Sequence, residues 1–204
     1  MIKQIKVGAI HTNCYIIYDN GEAIIIDPGY PDERIAGFID ENGLKVKFIY
    51  LTHCHFDHML GTTWLKEKYN VDITCLDKEE ENLNNCDVNL SLRMTGKKVE
   101  IKADKVFSEN DEIKVGNLSF RVIHTPGHTS GSSSLYGDGI LISGDTLFSD
   151  CFGRCDLPTS NFSAILKSVS EKLYILPKDT IVYPGHGDTT TIGDRIIDEG
   201  CTVH

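Results

Sequence analysis

The stretch that most constrains this chain is His53-Cys54-His55-Phe56-Asp57-His58, three imidazoles and a carboxylate within six positions. Groups crowded in this way repel one another when charged and waste burial when neutral. A bound divalent metal is the simplest reason to collect them. The flanks narrow the fold. Val46, Phe48, Ile49 and Leu51 make a strand too apolar to face water, and it runs directly into Thr52 and the motif. Met59, Leu60, Trp64 and Leu65 then predict a helix that starts at Asp57 or its neighbours and carries all four on one face. The motif thus sits at a strand-to-helix corner, which holds side chains at a sheet rim on a rigid base. In an extended segment His53, His55 and Asp57 point one way and His58 the other, with Cys54 turned away to pack. The helix start interrupts that alternation, so spacing leaves the side of Asp57 open.

The rest of the chain supplies more corners of this kind. Residues 2–8 alternate like an edge strand. Apolar runs at 14–18 and 23–26 flank Asn20-Gly21, a hairpin signal, and the second run stops at Asp27-Pro28-Gly29. Pro31 and Asp32 open a helix that buries Ile35, Phe38 and Ile39 and ends at Gly43. Residues 71–76 read as a short strand and 78–85 as a solvated polar helix. In the less regular stretch 86–104, Leu90, Leu92 and Met94 are expected to be core filler rather than a flap over a pocket. Strands flank Gly116-Asn117 and Gly137-Asp138-Gly139. A helix follows at 161–174 with Phe162, Ile165, Leu166, Val169 and Leu173 on one face. A strand at 180–183 and a last helix with Ile192, Ile196 and Ile197 complete the chain. Strands, helix, strand, helix and strand, then the same order again, predict two sheets packed face to face with helices outside. That is an α/β (α+β) four-layer sandwich, one domain over residues 1–204.

Three more apolar runs end as the first does, at Thr125-Pro126-Gly127-His128, Gly144-Asp145 and Pro184-Gly185-His186-Gly187. Four strand ends that deliver His or Asp beside Gly or Pro point to a built site. If they converge, the ligands are His53, His55, Asp57, His58, His128, Asp145 and His186. Seven exceed one tetrahedral zinc and suit two metals that share a carboxylate, with a water between them. The formal charge of −10, from 30 acidic and 20 basic residues, repels phosphate backbones, so no nucleic-acid partner is expected. Bound cations would cancel part of it. No run reaches the ~18 apolar residues of a membrane span, and Met1-Ile2-Lys3-Gln4 leads straight into a strand pattern. A cytoplasmic protein with reduced thiols and no membrane partner is the expectation. Cys151 and Cys155 lack a second pair and read as loop thiols.

Taken together these stretches resemble the metallo-β-lactamase-fold hydrolases, and within them the small glyoxalase II-like (hydroxyacylglutathione hydrolase-like) proteins. The resemblance rests on Thr52-His53-Cys54-His55-Phe56-Asp57-His58, Thr125-Pro126-Gly127-His128-Thr129, Gly144-Asp145-Thr146-Leu147-Phe148, Gly153-Arg154-Cys155-Asp156-Leu157-Pro158 and Tyr183-Pro184-Gly185-His186-Gly187. Asp27-Pro28-Gly29 and Thr189-Thr190-Thr191-Ile192-Gly193 also fit. The resemblance implies an αββα sandwich with metals at one rim. It implies His53, His55 and His128 on a first metal, Asp57, His58 and His186 on a second, and Asp145 as the bridge. Asp57 is also a candidate for proton handling, and Asp27 either supports the site or is a turn residue only. Two zinc ions are expected, with iron or manganese compatible with the same donors.

The implied reaction is hydrolysis of a hydroxyacyl thioester such as S-D-lactoylglutathione, a small-molecule substrate, by hydroxide held between the metals. Larger glyoxalase II enzymes use a C-terminal helical domain to help bind glutathione, and no stretch after Gly193 has room for one. Arg154 is expected either to grip a substrate carboxylate or to pair with Asp156, and Phe148 and Phe152 either wall the pocket or pack. His11, His124 and His204 match no ligand position. The alternatives are a persulfide dioxygenase with one iron on His53, His128 and Asp145, another hydrolase of the fold such as a lactonase, and a non-catalytic binding module.

Overall fold

A turn that only a few residue types tolerate starts the first sheet. Asn20 and Gly21 take φ of 48° and 78°, as the two-residue loop of a right-twisted hairpin requires. They join β2 (Thr12–Asp19) to β3 (Glu22–Ile26), and β1 (Ile2–Val7) pairs antiparallel on the other edge of β2. The computed structural model describes residues 1–201, with side chains to residue 196. Thus His204 and the side chain of Ile197 lie outside the described residues. Helix α1 (Glu33–Glu41) begins at Asp32, whose carboxylate accepts the Arg34 amide, and buries Ile35, Ala36 and Ile39. Strand β4 (Lys45–Leu51) runs parallel to β3. After it come α2 (Phe56–Met59), α3 (Thr62–Tyr69) and β5 (Asp72–Leu76). A 3-10 turn at Asp77–Glu79, α4 (Glu80–Leu83) and α5 (Ser91–Thr95) lead to β6 (Lys105–Phe107), which closes a six-stranded sheet in sequential order.

The second sheet repeats the plan. Strands β7 (Glu112–Val115), β8 (Leu118–His124), β9 (Ser133–Gly137) and β10 (Ile140–Gly144) form an antiparallel meander. Helix α6 (Phe162–Lys167) widens into a π-helical stretch at Ser168–Leu173. Strand β11 (Ile181–Pro184) then pairs parallel to β10, and β12 (Thr190–Thr191) and α7 (Ile192–Cys201) follow. Between the sheets lie Tyr15, Ile17, Ile24, Ile26 and Tyr50 from one and Phe120, Val122, Leu135 and Ile142 from the other. The alternate residues Ile16, Ile25 and Ile49 turn outward onto Ile35, Ile39 and Leu65, while Leu141 and Val182 meet Ile165, Val169 and Leu173. Each such side chain, fully buried, contributes about 1.5–3 kcal/mol. The four-layer α/β sandwich expected from the order of elements is the fold observed.

Four local expectations are corrected. The helix expected from Asp57 onward is broken at Gly61, whose amide donates to the Pro28 carbonyl at 2.8 Å; a Cβ there would lie 2.6 Å from the Tyr30 carbonyl oxygen. The break lets the loop after β3 dock beside the histidine motif. In 161–174, Ile165, Val169 and Leu173 are buried, but Phe162 and Leu166 are exposed. The 78–85 stretch is not wholly solvated, because Glu79 is fully buried and Asn82 nearly so. In 86–104, Leu90 is buried, whereas Leu92 and Met94 are exposed on α5. Among the described residues no helix is long and apolar enough to cross a membrane, and six cysteines are free thiols.

Candidate metal centre

Strands β4, β8, β10 and β11 end at one rim, where backbone bonds lock their loops together. The Ser133 amide donates to the Thr52 carbonyl at 2.9 Å, Asn13 to Gly185 at 2.8 Å and Gly185 to Gly144 at 2.8 Å. The glycine at 185 is a steric necessity, since a Cβ would fall 2.1 Å from Asp145 Oδ1 and 2.7 Å from His58 Cε1. All seven sequence-derived candidates meet at this rim.

His53, His55 and His128 each present a ring nitrogen, and the three lie within 4.8 Å of one another. His55 Nδ1 is 2.9 Å from His128 Nε2. His128 donates its Nδ1–H to the Arg154 carbonyl at 2.9 Å, which turns Nε2 inward as an acceptor. All three rings are buried. Burial, with the neighbouring imidazoles, drives His53 well below the ordinary histidine range and His55 down to about 3. Neutral imidazoles are the form that binds a metal.

Asp57, His58 and His186 form a second group of the same size. His186 Nε2 lies 3.1 Å from Asp57 Oδ2, and His58 Nε2 lies 3.3 Å from Asp57 Oδ2 and 3.4 Å from His186 Nε2. The Thr12 hydroxyl donates to Asp57 Oδ2 at 3.0 Å. Behind the group stands Asp27, buried and held at φ 49°. Its Oδ1 accepts the Thr52 amide at 2.8 Å, and its Oδ2 accepts the Thr52 hydroxyl at 2.6 Å and His58 Nδ1–H at 3.0 Å. With both oxygens thus engaged, Asp27 is a buttress that leaves His58 Nε2 facing inward, more than a turn residue. Asp145 stands between the groups, with Oδ1 3.4 Å from His58 Nε2 and Oδ2 3.5 Å from His128 Nε2 and 3.7 Å from His186 Nε2.

The electrostatics ask for a cation at the centre. Burial opposes charge on His58, yet Asp145, Asp57 and Asp27 raise it well above the ordinary histidine range. Burial likewise opposes charge on Asp57 and Asp145, yet the adjacent imidazoles, His58 foremost, hold both well below the usual carboxylate range. His53 Nε2, His55 Nε2 and Asp145 Oδ1 are buried without a hydrogen-bond partner. Convergent neutral nitrogens, anionic oxygens and orphaned buried donor atoms fit divalent ions.

The groups open into a cleft of about 510 Å³ whose floor includes His55, Asp57, His128, Asp145 and His186. Ile10, Leu90, Met94, Phe148 and Leu157 form apolar walls, and Arg93, Arg154 and Asp156 add charge. A groove of about 590 Å³ between β1 and α1 is larger but is lined by Lys3, Lys6, Glu33 and Arg34 and by none of the ligand candidates. Phe148 reaches the cleft, 6.3 Å from the His186 ring. Phe152 does not; it packs 5.9 Å from Phe162 in the apolar layer under α6. Arg154 lines the cleft and forks onto both Asp156 oxygens at 2.7 Å, so of its two expected roles the pairing with Asp156 is the one observed. His124 Nε2 donates to the Ser130 carbonyl at 3.0 Å, away from both groups. Cys54 packs among Leu51, Met59, Ile73 and Leu83.

Sequence reading missed Glu79, Thr12 and Arg93. Arg93 projects from α5 into the cleft with no hydrogen bond or ion pair to the described residues. The Asp156 carboxyl is held low chiefly by Arg154 and to a lesser degree by Arg93. Nothing in the local letters distinguishes these three residues from surface polar positions.

The family model described as the metallo-beta-lactamase superfamily matches residues 7–186. A probable metallo-hydrolase, YqgX, of Bacillus subtilis is 35% identical over 93% of this chain and 92% of its own. The hydroxyacylglutathione hydrolase GloC of Haemophilus influenzae is 33% identical over 95% and 94%. Among solved structures, the BLEG-1 B3 metallo-beta-lactamase superposes with a TM-score of 0.90 at 36% identity over 97% of each chain. A di-iron-bound form of TTHA1623 gives 0.82 at 29% over 95% and 96%. ETHE1 from Myxococcus xanthus gives 0.74 at 27% over 96% of this chain and 81% of its own.

Proposed function

The chain belongs to the metallo-β-lactamase superfamily of metallo-hydrolases, and from that premise we propose that it is a two-metal thioester hydrolase acting on hydroxyacyl thioesters, S-D-lactoylglutathione among them. The observation that carries this reading is the position of Asp145. One carboxylate faces His58 with one oxygen and His128 and His186 with the other, so two donor groups share it. In this reading His53, His55 and His128 hold one ion and Asp57, His58 and His186 the other. Likeness to a hydroxyacylglutathione hydrolase over nearly its whole length supports the thioester class.

Bound there, two divalent ions would supply a water acidified to hydroxide near neutral pH and a Lewis acid for the carbonyl. The chain's own contribution is orientation. Asp27 fixes the tautomer of His58 through Nδ1, and the Arg154 carbonyl does so for His128. Thr12 and His186 hold Asp57 Oδ2 in place at the rim. Phe148, Leu90 and Met94 form apolar walls beside the floor, and Arg93 offers an unpaired cation to an anionic substituent. Zinc is the proposed occupant; a similar structure binds two irons, so elemental analysis decides.

Likeness to ETHE1 favours one further reading, a persulfide dioxygenase with a single iron on His53, His128 and Asp145. Metal analysis paired with thioester, β-lactam and persulfide-dependent oxygen-uptake assays separates the readings. Two metal equivalents and thioester cleavage abolished by His53→Ala are expected. One iron per chain, with oxygen uptake and no thioester cleavage, overturns the proposal. Cleavage of β-lactam alone would keep the metal centre and replace the substrate.

A further inference from the structure

Glu79 is a fully buried carboxylate to which the mechanism above gives no task. It ends the 3-10 turn after β5, and that turn is wedged between the two loops that carry the three-histidine group. Oε1 accepts the Cys54 amide at 2.7 Å and the Thr129 hydroxyl at 2.7 Å. Oε2 accepts Asn82 Nδ2 at 2.6 Å, and Asn82 also donates to the Ser130 hydroxyl at 2.9 Å. Cys54 lies between His53 and His55, and Thr129 follows His128. One carboxylate oxygen therefore bonds to backbone or side chain next to all three imidazoles. The fit is close, since a Cβ at Gly131 would lie 2.4 Å from the Lys78 carbonyl.

Among the described residues no cation pairs with this carboxylate; its partners are an amide, a hydroxyl and a carboxamide. Burying such a group is costly, and an apolar residue would fill the space as well. What an apolar residue cannot do is fix the Cys54 peptide plane, and with it the directions of the imidazoles on either side. The second donor group already has Asp27 behind it. Among the described residues the His55 ring has His128 as its one hydrogen-bond partner and touches His53 edge-on, with no acceptor behind it, so its aim depends on the loop backbone.

We propose that Glu79 is a positioning residue that ties the 53–55 and 128–129 loops into the geometry of the three-histidine metal site. The inference rests on the two-metal reading. It predicts a weakened site in Glu79→Ala, which orphans the Cys54 amide and the Thr129 hydroxyl. It predicts rescue in Glu79→Gln, whose amide oxygen still accepts both.

The test is zinc affinity by chelator competition and the cobalt(II) absorption spectrum of the full-length wild type and variants. Leu173→Ala serves as a destabilised control remote from the site. Glu79→Ala should lose about 10–100-fold in affinity for one of two equivalents and show an altered cobalt spectrum. Glu79→Gln should recover most of it, and Leu173→Ala should melt earlier with both affinities intact. If Glu79→Ala does not fold, Thr129→Val cuts one arm of the clamp and must still weaken one equivalent. Wild-type affinity in the variants that fold overturns this inference alone. A wild type that binds no zinc or cobalt overturns the two-metal reading and this inference with it.

Discussion

The two donor groups at the rim are built on opposite principles. His53, His55 and His128 are withdrawn from water, the first two held neutral by burial, and the group is aimed from behind by backbone and by Glu79. Of Asp57, His58 and His186 only the last opens appreciably to solvent, its side chain being 29% exposed against 11% and 0% for the other two, and a raised His58 is set among three carboxylates. In the first group, His53 and His55 need little change of protonation to accept a cation. In the second, a metal must displace the proton on His58. On the two-metal reading, one centre joins a site preorganised by burial to a site preorganised by charge, with Asp145 common to both.

Removing that common element should produce the largest effect. Asp145→Ala is expected to cut hydrolysis on the order of 10³-fold or more and to lower metal content at both positions, as read by elemental analysis. Loss of one equivalent alone would break the symmetry assigned to Asp145. Next comes Asp27→Asn, which faces His58 Nδ1–H with a donor. It should weaken the Asp57–His58–His186 site by about 10–100-fold and spare the three-histidine site. Equal weakening of both in a metal titration would erase the distinction.

Acidity separates the groups in the metal-free protein. His53 and His55 have folded values below the ordinary 6.5, His55 at about 3. The unfolded chain therefore takes up their protons first. Their stabilisation is present above about 6.5 and lost as pH falls toward 3, by at most about tenfold in the folding constant per pH unit for each. The raised His58 runs the other way, contributing fully below 6.5 and losing its contribution as pH rises through its folded value. Denaturant melts from pH 5 to 9 should show both limbs. His55→Gln should flatten the acid limb and His58→Gln the alkaline one. The smallest effect is expected outside the centre. Arg93→Ala should raise KM for a carboxylate-bearing thioester by about three- to tenfold with kcat unchanged, because an exposed ion pair is partly screened. An unchanged KM would remove Arg93 from substrate recognition.

The seven convergent side chains were legible because each follows an apolar run and sits beside Gly or Pro. A strand end of that kind leaves its polar residue few places to go. The hairpins at Asn20-Gly21 and Gly137-Asp138-Gly139 were legible for the same local reason, since their turns demand positive φ. Glu79 was not. In Lys78-Glu79-Glu80-Glu81 it is one of three consecutive glutamates, and only docking of the turn against the 129–132 loop makes it the buried one. Phe148 and Phe152 were equivalent as letters until the bridge pairing Leu147 with Phe152 sent the first into the cleft and the second under α6. The split at Gly61 was hidden because its cause, the Pro28 carbonyl, lies 33 residues upstream.

By itself the sequence determined what is local: the period of each strand and helix, the turns with special φ, the donors placed at strand ends, and hence the four-layer order and a metal-binding rim. Tertiary structure alone decided which charges are buried, which ring nitrogen faces inward, and which cationic and aromatic side chains line the cleft. The physical reason is that dihedral preference and hydrophobic period act over a few residues. Desolvation, hydrogen-bond partners and the field at each group are set by whatever the fold brings alongside, and for Glu79 those partners come from 25 and 50 positions away.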